Sequence, residues 1–259
     1  MIPKIIHYCW FGGNPLPEEA VKCIESWRKY CPQYEIKEWN ESNFDINACM
    51  YSRQAAEAKK WAFVSDYARF KILYEEGGLY FDTDVELIKP IDDIIATGPF
   101  MGCEAGGKNE VASGLGLAAN AGLGLAAGAD LEIYKEIIDH YESNTFLDND
   151  GNIDATTVVA RVSQILKKHG FKGDGNIEEI SGIFIYPPEY FCPMNYWTGE
   201  ITLTENTRSI HHYSMSWKTE NQKHFKVVER RLKKQFGHFL GWQLYRVYYF
   251  FNTKILKKK

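Results

Sequence analysis

Asp82-Thr83-Asp84 is the sharpest chemical signal in the chain. Two carboxylates one residue apart, just past the apolar run Leu79-Tyr80-Phe81, can both reach one cation. Oxygen ligands of this kind suit Mg2+ or Mn2+, which keep positions open for phosphate oxygens and water. Acidic triplets also occur in solvated turns, but here Gly77-Gly78 and an apolar run lead straight into the pair. Ser65, Asp66 and Arg69 form a second group. Asp66 and Arg69 are three apart and share a face if the segment is helical. They are either a surface ion pair worth ~1 kcal/mol or less, or a pocket wall. In a pocket, Asp66 would accept from ligand hydroxyls and Arg69 would hold oxygens in its planar fork. His211, His212, Ser214, Ser216 and Trp217 form a third cluster. A histidine after a strand can ligate a metal, and a hydroxyl and an indole N–H can donate to a phosphate. Trp10, beside Gly12-Gly13, is placed to stack on a flat base or to sit in the core.

These groups need a scaffold that brings distant segments to one edge. Lys4 to Phe11 is a short apolar run between Pro3 and Gly12-Gly13, which reads as a buried strand feeding a loop. Pro15 and Pro17 precede Glu18-Glu19-Ala20, a helix start with acids in its first turn. That helix is expected to turn Val21, Ile24 and Trp27 inward and to stop before Pro32. Tyr34 to Trp39 reads as a second strand. Residues 54–76 read as one long helix with Phe63, Phe70 and Leu73 on a stripe, ended by Gly77-Gly78. Leu79-Tyr80-Phe81 is the next strand, and it delivers Asp82. Helices are expected over 131–143 and 155–169, and a last strand over Ser209 to His212. Alternating strands and helices argue for an α/β fold with parallel strands, in which ligands bind beyond the carboxyl ends. Trp10 and Asp82 both stand at such ends. The near-repeat Gly114 to Ala119 and Gly122 to Ala127 is either a small-residue turn approached by a ligand or a tightly packed turn.

Composition limits the alternatives. In 259 residues, 15% are aromatic, too many for a disordered chain. The longest uncharged run, Val111 to Ala129, is glycine and alanine with Asn120 inside, too weakly apolar for a membrane span. No cleavable leader pattern is read at the N-terminus. Six scattered cysteines without a C-x-x-C pair predict reduced thiols and a cytoplasmic location. The net charge of −4 hides an asymmetry: residues 218–259 carry 12 Lys and Arg against 2 acidic residues. Trp242, Tyr245, Tyr248, Tyr249, Phe250 and Phe251 lie in the same stretch, which ends in Lys257-Lys258-Lys259. We read residues 1–217 as one domain and 218–259 as a basic aromatic helical extension. Residues 238–259 are expected to meet an anionic membrane surface, and no nucleic acid is expected as a partner.

The order Ile5-Ile6-His7-Tyr8-Cys9-Trp10-Phe11-Gly12-Gly13, Phe63-Val64-Ser65-Asp66-Tyr67-Ala68-Arg69, and Gly77-Gly78-Leu79-Tyr80-Phe81-Asp82-Thr83-Asp84 resembles the family 32 glycosyltransferases. That family has a sugar-binding D-x-D region and includes bacterial capsule enzymes and yeast mannosyltransferases. The chain resembles the glucosyltransferase domains of clostridial toxins more distantly. The motifs cover residues 2–90, with a further match at 209–217. The resemblance implies a GT-A-like, Rossmann-related mixed sheet flanked by helices, a nucleotide-sugar donor, Mn2+ or Mg2+, and retention of anomeric configuration. It implies that Trp10 stacks on the base, that Ser65, Asp66 and Arg69 hold the donor, and that Asp82 touches ribose, sugar and the metal region. It implies that Asp84 is a direct ligand. His212, five residues before Trp217, takes the place of an acidic ligand in the toxins, with His211 as second choice. Ser216 and Trp217 would contact the diphosphate. Asp82, Asp84 and Arg69 are thus the expected catalytic set, and Asp84, His212 and Asp82 the metal set.

On this reading the enzyme moves a hexose, with UDP-galactose or UDP-glucose ahead of other donors, onto a saccharide acceptor. A lipid-linked oligosaccharide at the inner face of a bacterial membrane, in capsule or surface polysaccharide synthesis, suits the basic extension. Attack on the same face as the departing phosphate is the favoured route to retention. For a double displacement no unassigned carboxylate stands out as nucleophile, and Asp154 and Glu104 are candidates that neither motif nor spacing supports. Three rivals share the residues, one of them a transferase that modifies a protein as the toxins do, against which the short length and basic tail speak. Asp82-Thr83-Asp84-Val85 also fits the nucleophile motif of haloacid-dehalogenase-like phosphatases, but that motif normally follows the first strand, and here some 80 residues precede it. A catalytically silent sugar-binding scaffold would have no need of a metal ligand set beside the phosphates.

Overall fold

A short apolar run forms the centre. Ile5–Cys9 (β1) is almost wholly buried because both of its faces meet protein. A computed structural model describes residues 2–104, 130–214 and 219–255. Within these the elements follow as α1 (Glu18–Tyr30), β2 (Glu35–Trp39), α2 (Met50–Glu57), α3 (Trp61–Glu76), β3 (Leu79–Tyr80) and β4 (Val85–Leu87). Then come α4 (Asp92–Thr97), β5 (Phe100–Gly102), α5 (Asp130–Glu142), α6 (Val158–Lys168), β6 (Glu178–Ile180) and β7 (Ile183–Tyr186). The last are α7 (Pro188–Phe191), β8 (Ser209–His211), α8 (Glu220–Phe236) and α9 (His238–Phe250). The fold is mixed α/β, as the alternation of elements implies.

The strands make three small sheets rather than one. β1 lies between β2 and β3, all parallel. β4 pairs antiparallel with β8, and β7 pairs parallel with β5 and antiparallel with β6. The ladder stays short because β3 has two residues before the chain turns at Asp82. One apolar cluster lies among α2, α3, α5 and α6, and another joins β1, α1, β4 and α7. Trp27 docks α1 on β4 by donating its indole N–H to Val85 O at 2.7 Å, and the Leu87 amide donates to Ser26 Oγ at 2.9 Å.

Two expectations are corrected. Residues 54–76 are not one helix: α2 ends at Glu57, and Lys59 turns with φ 56° before α3 begins. Val21 is 39% exposed, while Ile24 and Trp27 are buried as expected. The Gly77-Gly78 stop is observed, with φ 66° and 99°. It is fixed by close approach: a Cβ on Gly78 would lie 2.7 Å from Ile5 O and 3.0 Å from His7 Nε2. The buried His7 accepts from Trp39 Nε1 through Nδ1 at 3.0 Å, which leaves Nε2 to donate to Gly77 O at 2.9 Å. The glycine repeat between Gly114 and Ala127 lies outside the described residues.

The chain folds as two compact units, 1–193 with 202–212, and 194–201 with 213–259. In the second unit α8 and α9 form a hairpin, and a wider helical turn continues over Phe251–Ile255. Among the described residues no helix is long and apolar enough to cross a membrane. All six cysteines are free and buried.

Candidate functional site

The parallel register sets the site. His7 pairs with Tyr80 and Ile6 with Leu79, so the chain leaves β1 towards Trp10 and β3 towards Asp82 at the same sheet edge. Helix α3 supplies Asp66 and Arg69. Arg69 is 3% and Asp66 9% exposed, which rules out the surface ion pair. The Arg69 fork is used on several sides. Nη2 lies 2.9 Å from Asp66 Oδ1 and 3.3 Å from Asp82 Oδ1, Nη1 donates to Asp82 Oδ2 at 3.4 Å, and Nε donates to Ser65 O at 3.1 Å. The guanidinium lies 4.9 Å from the Tyr80 ring centroid, and the Tyr80 hydroxyl donates to Asp82 Oδ1 at 3.0 Å. One arginine therefore ties helix, strand and turn together.

Burial decides the proton affinities. It pushes Asp66 up to about 6, although Arg69 opposes the shift. Burial alone would depress Arg69, but Asp82, Tyr80 and Asp66 hold its affinity above the ordinary value. Burial would likewise depress His211, and Asp84 beside it raises it well above an ordinary histidine.

Asp82, Asp84 and His211 offer ligand atoms that all lie within 4.8 Å of one another. His211 Nε2 is 3.1 Å from Asp84 Oδ1. The sequence points to His212 as third ligand with His211 second, and the structure brings His211 rather than His212 next to the acidic pair. Successive residues of β8 face opposite sides, so His211 is buried with the acidic pair while His212 turns outward to Glu86 Oε2 at 2.8 Å. Glu104, just past β5, joins the group: burial pushes it up to about 7, against the pull of His211 and with Asp82 and Asp84 raising it further. Its Oε1 is enclosed and has no hydrogen-bond partner. Residue spacing gives no hint of Glu104, because β5 and β4 are joined only through α4. Asp154 is instead held by Arg161 Nη2 at 2.5 Å.

The remaining candidates separate. Trp10 is half-buried, and its indole N–H donates to Asn14 O at 2.6 Å. The Ser65 hydroxyl donates to Trp61 O within its own helix at 3.2 Å, so its carbonyl, not its hydroxyl, serves Arg69. Ser216 and Trp217 lie outside the described residues. A hard divalent cation fits what is present: two carboxylates and an imidazole converge, and four carboxylates (Asp66, Asp82, Asp84, Glu104) face two cationic side chains, Arg69 and His211, among the described residues.

Residues 17–101 match the family described as the glycosyltransferase sugar-binding region containing the DXD motif. Inositol phosphoceramide mannosyltransferase 3 of Schizosaccharomyces pombe is 33% identical over 98 residues, 36% of this chain and 27% of that protein. An uncharacterized glycosyltransferase of Acanthamoeba polyphaga mimivirus, L373, is 30% identical over 109 residues, 39% of this chain and 42% of that one. The chain thus spans less than half the length of either relative. The solved PaToxG glycosyltransferase superposes with a TM-score of 0.48 and 17% identity over 67% of this chain and 72% of that one. Asp66, Arg69, Asp82 and Asp84 all fall inside the matched residues.

Proposed function

We propose that this chain is a metal-dependent, GT-A-type glycosyltransferase that moves a hexose from a nucleotide sugar to a saccharide acceptor with retention of configuration. The observation that carries this reading is the meeting of Asp82, Asp84 and His211 beside the buried Asp66–Arg69 pair. Residues 1–217 would form the catalytic part and 218–259 its extension. Asp84, His211 and Asp82 would hold Mn2+ or Mg2+. When bound, that cation supplies neutralisation of the diphosphate charge, which makes the nucleotide a competent leaving group.

The chain's own residues do the rest. Arg69, fixed on three sides before any ligand arrives, is preorganised to hold donor oxygens. Asp66 accepts from hydroxyls of the donor sugar, and Asp82 is held by Tyr80 towards the ribose and sugar. Trp10 stacks on the base, and Ser216 and Trp217 donate to the diphosphate. In the chemical step the bond from the anomeric carbon to the diphosphate oxygen breaks, and its electron pair leaves with the nucleotide. The acceptor hydroxyl forms the new bond on the same face and passes its proton to the departing phosphate. Glu104 is the carboxylate for the other route, a glycosyl-enzyme, because its Oε1 has no partner. A carboxyl pushed to about 7 is about half protonated at neutral pH, which weakens it as a nucleophile and favours the same-face route.

UDP-galactose and UDP-glucose lead as donors, and GDP-mannose joins them because the fission-yeast relative is named for mannosyl transfer. The acceptor on this reading is a lipid-linked oligosaccharide of bacterial capsule or surface polysaccharide synthesis, met at the cytoplasmic face of the membrane. Support for that comes from the basic extension. The test is a screen of nucleotide sugars for nucleotide release with and without Mn2+, using the wild type and Asp84→Asn. Release from one donor that needs Mn2+ and is lost in the variant supports the reading. No release, with no Mn2+-dependent nucleotide binding by calorimetry, overturns it. A glycosylated Glu104 trapped with a slow donor would replace the same-face route by double displacement.

A further inference from the structure

We propose that the α8–α9 hairpin is a docking face that lies on an anionic lipid bilayer, an inference independent of the glycosyl-transfer reading. Helix α9 has no acidic residue and leaves Phe239, Leu240, Trp242, Leu244, Val247 and Phe250 exposed, Phe239 by 76%. Of the 17 large apolar side chains exposed among the described residues, 10 fall between Val227 and Phe251. Single exposed apolar residues need no explanation, but so dense a group does. At 3.6 residues per turn the exposed positions of α9 fan over roughly 200° of its circumference, interrupted only by Gln243 and Arg246.

The hairpin is built to hold this face outward. Thr219 and Gln222 form a capping box at the start of α8. Gly241 lets the two helices touch: a Cβ there would lie 2.5 Å from Leu232 O and 2.6 Å from Lys233 Cα. Phe225 packs against Tyr249 at 4.8 Å between centroids, and His224 Nε2 pairs with the Tyr248 hydroxyl at 3.0 Å. The inner side of α9 is therefore spent on α8, and its outer side has no such partner within the hairpin.

Charge selects the occupant. Glu229 is enclosed between Lys226 and Lys233 at 3.1 and 2.5 Å, so it offers nothing to a partner. Arg231, Lys234 and Arg246 are exposed, and Lys257-Lys258-Lys259 follow in the sequence. Apolar side chains with aromatic rings and flanking cations match the acyl boundary and the phosphate groups of an anionic leaflet. A second copy of this chain would bring the same positive charge to the same face, which opposes self-association. A helix of 13 residues is about 20 Å long, too short for a bilayer core of about 30 Å, so α9 lies in the interface plane rather than across it.

The experiment is co-sedimentation of the full chain with phosphatidylcholine vesicles, with and without phosphatidylglycerol, at low and high salt. The expected result is binding at least about tenfold tighter to the anionic vesicles and weakened by salt. Phe239→Ser with Val247→Ser and Phe250→Ser should lower that binding at least about tenfold with an unchanged circular dichroism spectrum. Should that variant unfold, Arg231→Glu with Lys234→Glu, both exposed, should still cost about tenfold on anionic vesicles and leave binding to neutral ones unchanged. Equal binding to both vesicle types, or a charge variant that binds anionic vesicles like the parent, overturns the proposal. So does sedimentation as a dimer that the serine variant disperses, with no vesicle binding.

Discussion

Two of the clusters of charge buried among the described residues are built to opposite ends. In the second unit Glu229 sits between Lys226 and Lys233, and both ammonium groups also lie over Trp197, at 4.6 and 4.5 Å. Every charge there has a partner within the unit, and nothing is left for a ligand. At the sheet edge of the first unit, four carboxylates face Arg69 and His211 among the described residues, and Glu104 keeps an enclosed oxygen without a partner. A closed triad of this kind is costly to break and chemically inert. A cluster with surplus negative charge is tolerable only if something positive or proton-donating completes it. The triad also carries one positive charge in excess, so the unpartnered buried oxygen of Glu104, rather than imbalance of charge, separates the site from the strut.

Substitutions that touch each cluster should read out differently. The largest effect is expected for Asp84→Asn, with a loss of about 1000-fold or more in turnover. Its melting temperature should stay within a few degrees of the wild type, because the change relieves crowding of carboxylates. His211→Ala should lower Mn2+ affinity about 10- to 100-fold by calorimetry. A large loss of stability with Asp84→Asn would mean that this cluster too is a strut.

Glu229→Ala should do the reverse. It strands Lys226 and Lys233 in a buried setting and should cost about 3 kcal/mol in the stability of the hairpin. Turnover per folded molecule should not change. Urea denaturation followed by circular dichroism, with nucleotide release measured on the same sample, checks both halves.

A third test uses a buried group outside both clusters. Burial pushes His7 down to about 4 from 6.5, although Gly77 and Glu76 pull the other way. The folded state thus binds fewer protons than the unfolded state between these values, so His7 contributes stability at neutral pH that is lost as pH falls from about 6.5 towards 4. Between pH 7 and 4.5 this amounts to about 2 kcal/mol. The gap in urea midpoint between wild type and His7→Gln should shrink over that range, while other titrating groups cancel between the two proteins. A gap that stays constant would refute the assignment.

Much of the first unit was legible because its signals are local. Pro17 with acids marks the start of α1, Gly77-Gly78 marks the end of α3, and a strand that runs into Asp82 needs only alternation and length. The break at Lys59 was not legible, since Ala58-Lys59-Lys60 holds no glycine or proline and the left-handed turn is imposed by the packing of α2 and α3. The three-sheet arrangement was hidden for a similar reason. Pairing of β4 with β8 joins residues more than 120 positions apart, and no local pattern encodes it. Asp66, Arg69, Asp82 and Asp84 were visible as types and spacings, whereas Glu104 enters through a chain reversal. In the second unit, composition announced the basic aromatic hairpin but not that Lys226 and Lys233 turn inward. Their ammonium groups are buried because Glu229 lies three and four positions away on the same helix face.

The smallest expected effect is the one that most directly tests strand register. His212 follows His211 without a gap, and spacing to Trp217 favours it as a ligand. Pairing of Val85 with His211 and of Leu87 with Ser209 fixes which of the two faces inward. A one-residue slip of β8 would exchange them, so the two alanine variants report the register itself. His212→Ala removes a half-exposed contact to Glu86, and contacts of that kind are worth well under about 1 kcal/mol. Mn2+ affinity and turnover should therefore match the wild type within about twofold, while His211→Ala loses both. If His212→Ala proved the damaging change, β8 would have to pair one residue out of the register described, and the metal set would be Asp82, Asp84 and His212 after all.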